Sequence, residues 1–241
     1  MIKGSQRLLQ TTPDTRAAFL LPHYSLHPIF LKPHTRSQLL LKAAVTLGFL
    51  GMFRFSTYKK LGINNLRIVG QNGTEHCITS GSLTELSHHF CQKRAHGFYF
   101  TFSSKYHPIA FAFFSKLSAI SNFWSRFCPV KILFLLARNR LLTDNIFPKS
   151  IVKAETLRNF LRFIARQSTP LGRHKFTPHS LRIGGHTFYS LKNMDSDFVH
   201  FLARRAICKA SQLYYRANAY DNIIRLDMFF RSIRSHHILQ N

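Results

Sequence analysis

The chain has 241 residues, with 34 Lys plus Arg against 9 Asp plus Glu, a formal net charge of +25 and 45% apolar residues. That apolar share supports a packed core and excludes a disordered chain, and the length fits one large domain or two small ones. The carboxylates are scattered (Asp14, Glu75, Glu85, Asp144, Glu155, Asp195, Asp197, Asp221, Asp227), which leaves little for metal-dependent nucleases or glycosidases that need two or three converging acids.

A basic surface of this size attracts polyanions, so nucleic acid is the first candidate partner, with a ribosome-associated or simply basic protein as the plainer account. Residues 1–15 are polar and lack the apolar centre of a secretory signal. The longest apolar stretch, 43–53, lies between Lys42 and Arg54 and is too short to span a bilayer, so no membrane partner is expected. Cys77, Cys91, Cys128 and Cys208 form no Cys-x-x-Cys pair. They are expected as free thiols in a reducing compartment, and the location expected is intracellular and nuclear.

In chain order, residues 1–36 carry prolines at 13, 22, 28 and 33, which prevent a long helix. The apolar spacing of Leu39, Leu40, Ala43, Ala44, Leu47 and Leu50 predicts a helix over 37–53, buried on most sides. Residues 55–66 are expected to continue as a second helix capped by Ser56, running into a turn at Gly62-Ile63-Asn64-Asn65. Short strands are expected over 66–69, 77–79, 98–102 and 109–114. The last two flank a polar turn, 103–108, with alternating aromatics on either side, which predicts a hairpin. Helical periodicity follows over 130–139, 153–166, 179–191, 196–204, 209–218 and 221–232, before a His-rich tail. Helices, a small sheet and more helices make the fold class α+β, mainly helical.

The stretch 176–216, FTPHSLRIGGHTFYSLKNMDSDFVHFLARRAICKASQLYYR, carries the chemistry. His179 and Arg182 are three apart and share a helix face, where an imidazole beside a guanidinium can clamp phosphate oxygens. Tyr214 follows 35 residues after His179, with Tyr215 and Arg216 behind it. The strings HSLRIGGHT, LARR and QLYYR resemble the catalytic end of the tyrosine recombinases, the phage-integrase family, and most of all the DIRS-type and Crypton-like transposon recombinases. Upstream, Gly51-Met52-Phe53-Arg54 followed by Leu61 is similar to that family's first arginine at the end of an apolar helix. Cys128-Pro129-Val130 and Ile146-Phe147-Pro148 resemble further elements of the transposon subgroup, so the resemblance covers roughly residues 35–225.

The resemblance implies a catalytic domain over 37–232, mainly helical with a small antiparallel sheet, an irregular segment over 1–36 and a tail over 233–241. It implies that Tyr214 attacks a DNA phosphate to form a 3′-phosphotyrosine, with no cofactor and no metal. Arg54, Arg182 and His179 would hold the non-bridging oxygens, Lys105 on the hairpin would protonate the departing 5′ oxygen, and Arg205 occupies the place where the family carries His or Trp. A tyrosine hydroxyl, with an ordinary pKa near 10, becomes a useful nucleophile when cations stabilise the charge gathering on the phosphate. The implied function is recombination or integration of a mobile element on double-stranded DNA, by a homo-oligomer of as many as four protomers.

Three departures stand in the pattern. Arg205 is one, and Thr57 replaces an acidic residue three after Arg54. The third is that residues 1–36 are too few for the helical core-binding domain that family members carry ahead of the catalytic one. A catalytically decayed, DNA-binding remnant of such an enzyme is therefore the alternative, and a basic RNA-binding protein the more distant one. His186, in place of a small residue, is expected as a helix-face substitution. Glu75, His76, Cys77, His88, His89, Cys91 and His96 cluster without the paired knuckles of a zinc finger.

Overall fold

The computed structural model describes residues 18, 35–77, 95–103, 110–116, 128–139, 144–149, 153–168, 176–204 and 219–238. The first helix, α1 (Arg36–Leu50), opens on a reciprocal cap. The Thr35 hydroxyl accepts from the Gln38 backbone N–H at 3.2 Å, and the Gln38 side chain accepts from Thr35 N–H at 3.1 Å. From Leu39 onward nearly every side chain is buried, as an apolar pattern without a polar face requires.

The helix stops at Gly51, and Met52 turns the chain through a left-handed conformation at φ 48°. A single turn, α2 (Phe55–Tyr58), then begins with Arg54 as its cap residue. The long second helix and its Ser56 cap predicted from the sequence are therefore corrected. Residues 59–60 form a turn, Ile63–Asn65 a 3₁₀ turn, and a strand follows at once.

The strands are β1 (Leu66–Gly70), β2 (Glu75–Cys77), β3 (Ala95–Phe102) and β4 (Ala110–Ser115), in the antiparallel order β2-β1-β3-β4. The predicted β3–β4 hairpin is present, pairing Phe98 with Phe114 and Phe102 with Ala110. Alternation gives the sheet two aromatic faces. Phe98, Phe100, Phe102 and Phe114 point to one side, where Phe53 meets Phe102 and Phe114 edge-on. Phe111 and Phe113 point to the other, where Phe113 stacks on Phe201 at 5.9 Å. Strand β2 begins two residues earlier than the predicted 77–79. The turn before it is closed by Gly73 at φ 79° and by a Gly70 N–H to Thr74 carbonyl bond, so pairing resumes at Glu75 opposite Val69.

The remaining helices are α3 (Pro129–Arg138), α4 (Ala154–Ser168), α5 (Pro178–Leu191), α6 (Ser196–Leu202) and α7 (Ala219–Ile238). α7 runs beyond the predicted 221–232 and takes up most of the expected tail. The predicted helix 209–218 lies outside the described residues. The architecture is mixed α+β with a small four-stranded antiparallel sheet, and among the described residues no helix is long and apolar enough to cross a membrane.

α5 crosses α1 at close range because Gly185 has no side chain. A Cβ there would collide with the Phe49 carbonyl oxygen and stand 2.9 Å from Met52 Cγ. Tyr189, one turn on, donates to the Leu50 carbonyl at 2.9 Å, and Tyr58 donates to the Ala44 carbonyl at 2.7 Å. These contacts fasten the C-terminal end of α1, where the arginines gather.

Candidate active site

The turn 51–54 presents main-chain carbonyls that no helix or strand can satisfy, and two buried guanidiniums answer them. Arg182, in the second turn of α5, donates through Nη1 to the Met52 carbonyl at 2.9 Å. Arg204, just past α6, donates through Nη2 to the carbonyls of Gly51 at 2.6 Å and Met52 at 2.9 Å, and through Nη1 to that of Phe111 at 3.3 Å. Its guanidinium carbon lies 5.3 Å from the Phe53 ring centroid and 5.5 Å from that of Phe102. Only 7% of Arg182 and 6% of Arg204 is exposed, so little water stands between these charges and whatever lies beside them.

Arg204 adopts φ 51° and Met52 φ 48°, both left-handed and both without the excuse of being glycine. Each such residue costs on the order of 1 kcal/mol and persists where its surroundings fix it. Here the two are hydrogen-bonded to each other, and Arg204 also lines a cavity of about 140 Å³. Arg54, Ser56, Thr57 and Lys60 come to it from α2 and its flanks, Phe102 and Ser103 from the end of β3, and Arg182 and Arg204 from the helices. Lys60 Nζ donates to both the carbonyl and the hydroxyl of Ser103 at 3.2 Å. Four cations and three hydroxyls thus surround a space suited to one tetrahedral oxyanion, with no carboxylate among the described residues that line it.

Of the residues singled out in the sequence, Arg54 and Arg182 meet in this cavity although 128 positions separate them. His179 is exposed in the first turn of α5, one turn before Arg182 and on the same helix face, but is not among the lining residues. Lys105, Arg205 and Tyr214 lie outside the described residues, as does Tyr215. Ser103, two residues before Lys105, is at the cavity wall, and Arg204 adjoins Arg205.

Sequence reasoning missed Arg204 and Lys60. The LARR string offered two arginines, and the buried one among the described residues is the first. Lys60 follows Ser56 at helical spacing, but only the fold puts that face of α2 against the end of β3.

The two shorter motifs have structural places. Pro129 occupies the first turn of α3, and the Cys128 thiol donates to the Lys116 carbonyl at 3.3 Å, tying that helix to β4. Burial pushes the Cys128 thiol up, keeping it protonated. Ile146 N–H bonds the Leu61 carbonyl at 2.9 Å, and Phe147 packs edge-on against Tyr58 at 5.3 Å, so this short segment buttresses α2 from behind. His186 is half-buried and stacks on His200 at 5.9 Å. Among the described residues no group of three or more His, Cys, Asp or Glu is placed to hold a metal.

Comparison with protein-family models, with curated proteins and with solved structures finds no match for this chain.

Proposed function

We propose that this chain cleaves and rejoins DNA strands in the manner of a tyrosine recombinase, through a covalent 3′-phosphotyrosine at Tyr214. The observation that carries the proposal is the meeting of Arg54 and Arg182, each picked from a separate motif, in one small cavity with Arg204 and Lys60. Such a cavity suits a phosphodiester whose charge grows as a fifth oxygen approaches phosphorus. The Tyr214 hydroxyl gives up its proton to water as its oxygen forms a bond to phosphorus, and the bond from phosphorus to the 5′ oxygen breaks. Lys105 supplies the proton to that oxygen, and His179 assists Arg54 and Arg182 on the non-bridging oxygens. The phosphotyrosine keeps the bond energy, so the reverse step joins a new 5′ hydroxyl without an external energy source. Arg205 would add another cation close to Arg204. The setting we propose is mobile-element DNA in the nucleus, with several protomers assembled on double-stranded DNA.

The test is incubation with nicked suicide duplexes of mixed sequence, followed by denaturing electrophoresis and mass spectrometry of the shifted band. The expected result is an adduct on the peptide holding Tyr214, absent from Tyr214→Phe, whose DNA affinity stays within a few-fold. An adduct that survives Tyr214→Phe moves the nucleophile to Tyr215 or elsewhere. Salt-dependent binding with no adduct on any duplex favours the second reading, a DNA-binding remnant. The observation behind that alternative is Thr57 on the cavity wall, where the resembling enzymes carry an acid to hold the first arginine.

A further inference from the structure

α2 is one turn thick, and a second, larger depression lies against its other side. Ser56, Thr57 and Lys60 face the arginine cavity, whereas Phe55 and Lys59 face a groove of about 810 Å³. Its other walls are Phe147, Pro148 and Lys149 from the segment before α4, and Lys153 at the start of that helix. The floor is apolar, since Phe147 is buried and Phe55 half-buried. The rim is cationic: Lys59, Lys149 and Lys153 are all exposed, and Lys59 Nζ stands 6.0 Å from the Phe55 ring centroid. The one carboxylate among the described lining residues, Glu155, is held by Arg158 at 2.6 Å.

A purely apolar partner would leave three ammonium groups facing it, and a free small anion would leave the floor uncovered. A nucleic-acid strand satisfies both, with phosphates on the lysines and deoxyribose on the accessible edge of the half-buried Phe55 ring.

We propose that this groove is a second subsite for double-stranded DNA. It takes the sugar-phosphate backbone of the same strand whose phosphate enters the arginine cavity. A helix with its side chains is about 10 Å across, and a strand advances about 3.4 Å per nucleotide along the duplex axis. A strand whose phosphate sits in the cavity therefore passes the groove within a few nucleotides. The subsite rests on the proposed function in that the cavity is taken to hold DNA, and the test separates the two.

The measurement is fluorescence anisotropy of the full chain with a mixed-sequence duplex of about three turns, titrated at several salt concentrations to obtain the slope of log K against log salt. Replacing Lys59, Lys149 and Lys153 together by Gln should reduce the magnitude of that slope by about 2.7, at roughly 0.9 per phosphate contact. Replacing all three by Arg should leave the slope unchanged. Arg54→Gln, at the cavity, should reduce it by about 0.9. A slope unchanged in the triple Gln variant overturns the groove, and if Arg54→Gln still lowers the slope the function proposed for the cavity stands. A wild-type chain with no salt-dependent binding to duplex overturns both.

Discussion

Arg204→Met is the sharpest test of how the cavity is built. The substitution keeps the length and most of the apolar stem but removes the guanidinium, so the Gly51 carbonyl loses its 2.6 Å donor inside the protein. An orphaned buried carbonyl costs about 1–3 kcal/mol. The Met52 carbonyl keeps its bond from Arg182 and contributes less to the loss. The contacts over Phe53 and Phe102 add about 0.5–2 kcal/mol each for a desolvated cation. Against this, a buried methionine needs no desolvation of charge, which offsets several kcal/mol of the gross interaction. The net expectation is a loss of about 3 kcal/mol, a large share of a typical total of roughly 5–15 kcal/mol. Arg204→Lys keeps the cation between the rings but cannot fork to carbonyls on two segments, and should lose about half as much. Urea unfolding followed by far-UV circular dichroism, with the slope m unchanged, reads both numbers. A methionine variant within about 1 kcal/mol of wild type would refute the claim that the guanidinium satisfies these carbonyls.

Two further outcomes are expected. Gly185→Ala gains up to about 1 kcal/mol of helix propensity, but its Cβ collides with the Phe49 carbonyl oxygen, and overpacking of this kind costs about 1–3 kcal/mol. A net loss in thermal unfolding, together with weaker DNA binding as Arg182 moves away from Arg54, is predicted; a rise in melting temperature contradicts the close approach. Burial also pushes the phenols of Tyr58, Tyr99 and Tyr189 up, with the hydrogen bond to Glu75 adding to the effect at Tyr99. Below about pH 10 both folded and unfolded chains keep these protons, and above it the unfolded chain releases what the folded chain retains. Stability should therefore fall from about pH 10 upward, and absorbance at tyrosinate wavelengths should show three phenols that titrate only on unfolding. Full titration of the native protein near the ordinary value would contradict their burial.

Where local patterning set the structure, the sequence disclosed it. The apolar run from Leu39 to Leu50 leaves no polar face for a surface helix. The alternation Phe98, Phe100, Phe102 against Ala110, Ala112, Phe114 suits only a two-faced hairpin. The start of β2 was also within reach, since Asn72-Gly73 is a strong turn signal and pins pairing to begin just after it. What stayed hidden depends on distant residues. Nothing near Met52 announces a left-handed turn at a methionine. That turn is fixed by arginines 130 and 152 positions further on, and it moves the α2 cap from Ser56 back to Arg54. The same distance dependence explains the site. Arg54 and Arg182 were visible as motif residues, whereas Arg204 and Lys60 become visible only once α6 is packed on β4 and Lys60 reaches Ser103 at the end of β3.

The way these cations are held bears on what the cavity can do. Gathering Arg54, Lys60, Arg182 and Arg204 around about 140 Å³ is costly unless their repulsion is met by something negative. Acidic side chains would meet it, but under the proposed function each would also repel the incoming phosphate. Main-chain carbonyls offer partial negative charge at fixed positions with no net charge. The hydrogen bonds from Arg182 and Arg204 to Gly51, Met52 and Phe111 therefore anchor the guanidiniums while leaving their formal charge in place. The left-handed turns at Met52 and Arg204 aim the carbonyls and the guanidinium at one another, so the strain of that turn is the cost of a preorganised cationic cavity. A chain with only nine carboxylates and 34 fixed cations is suited to this solution.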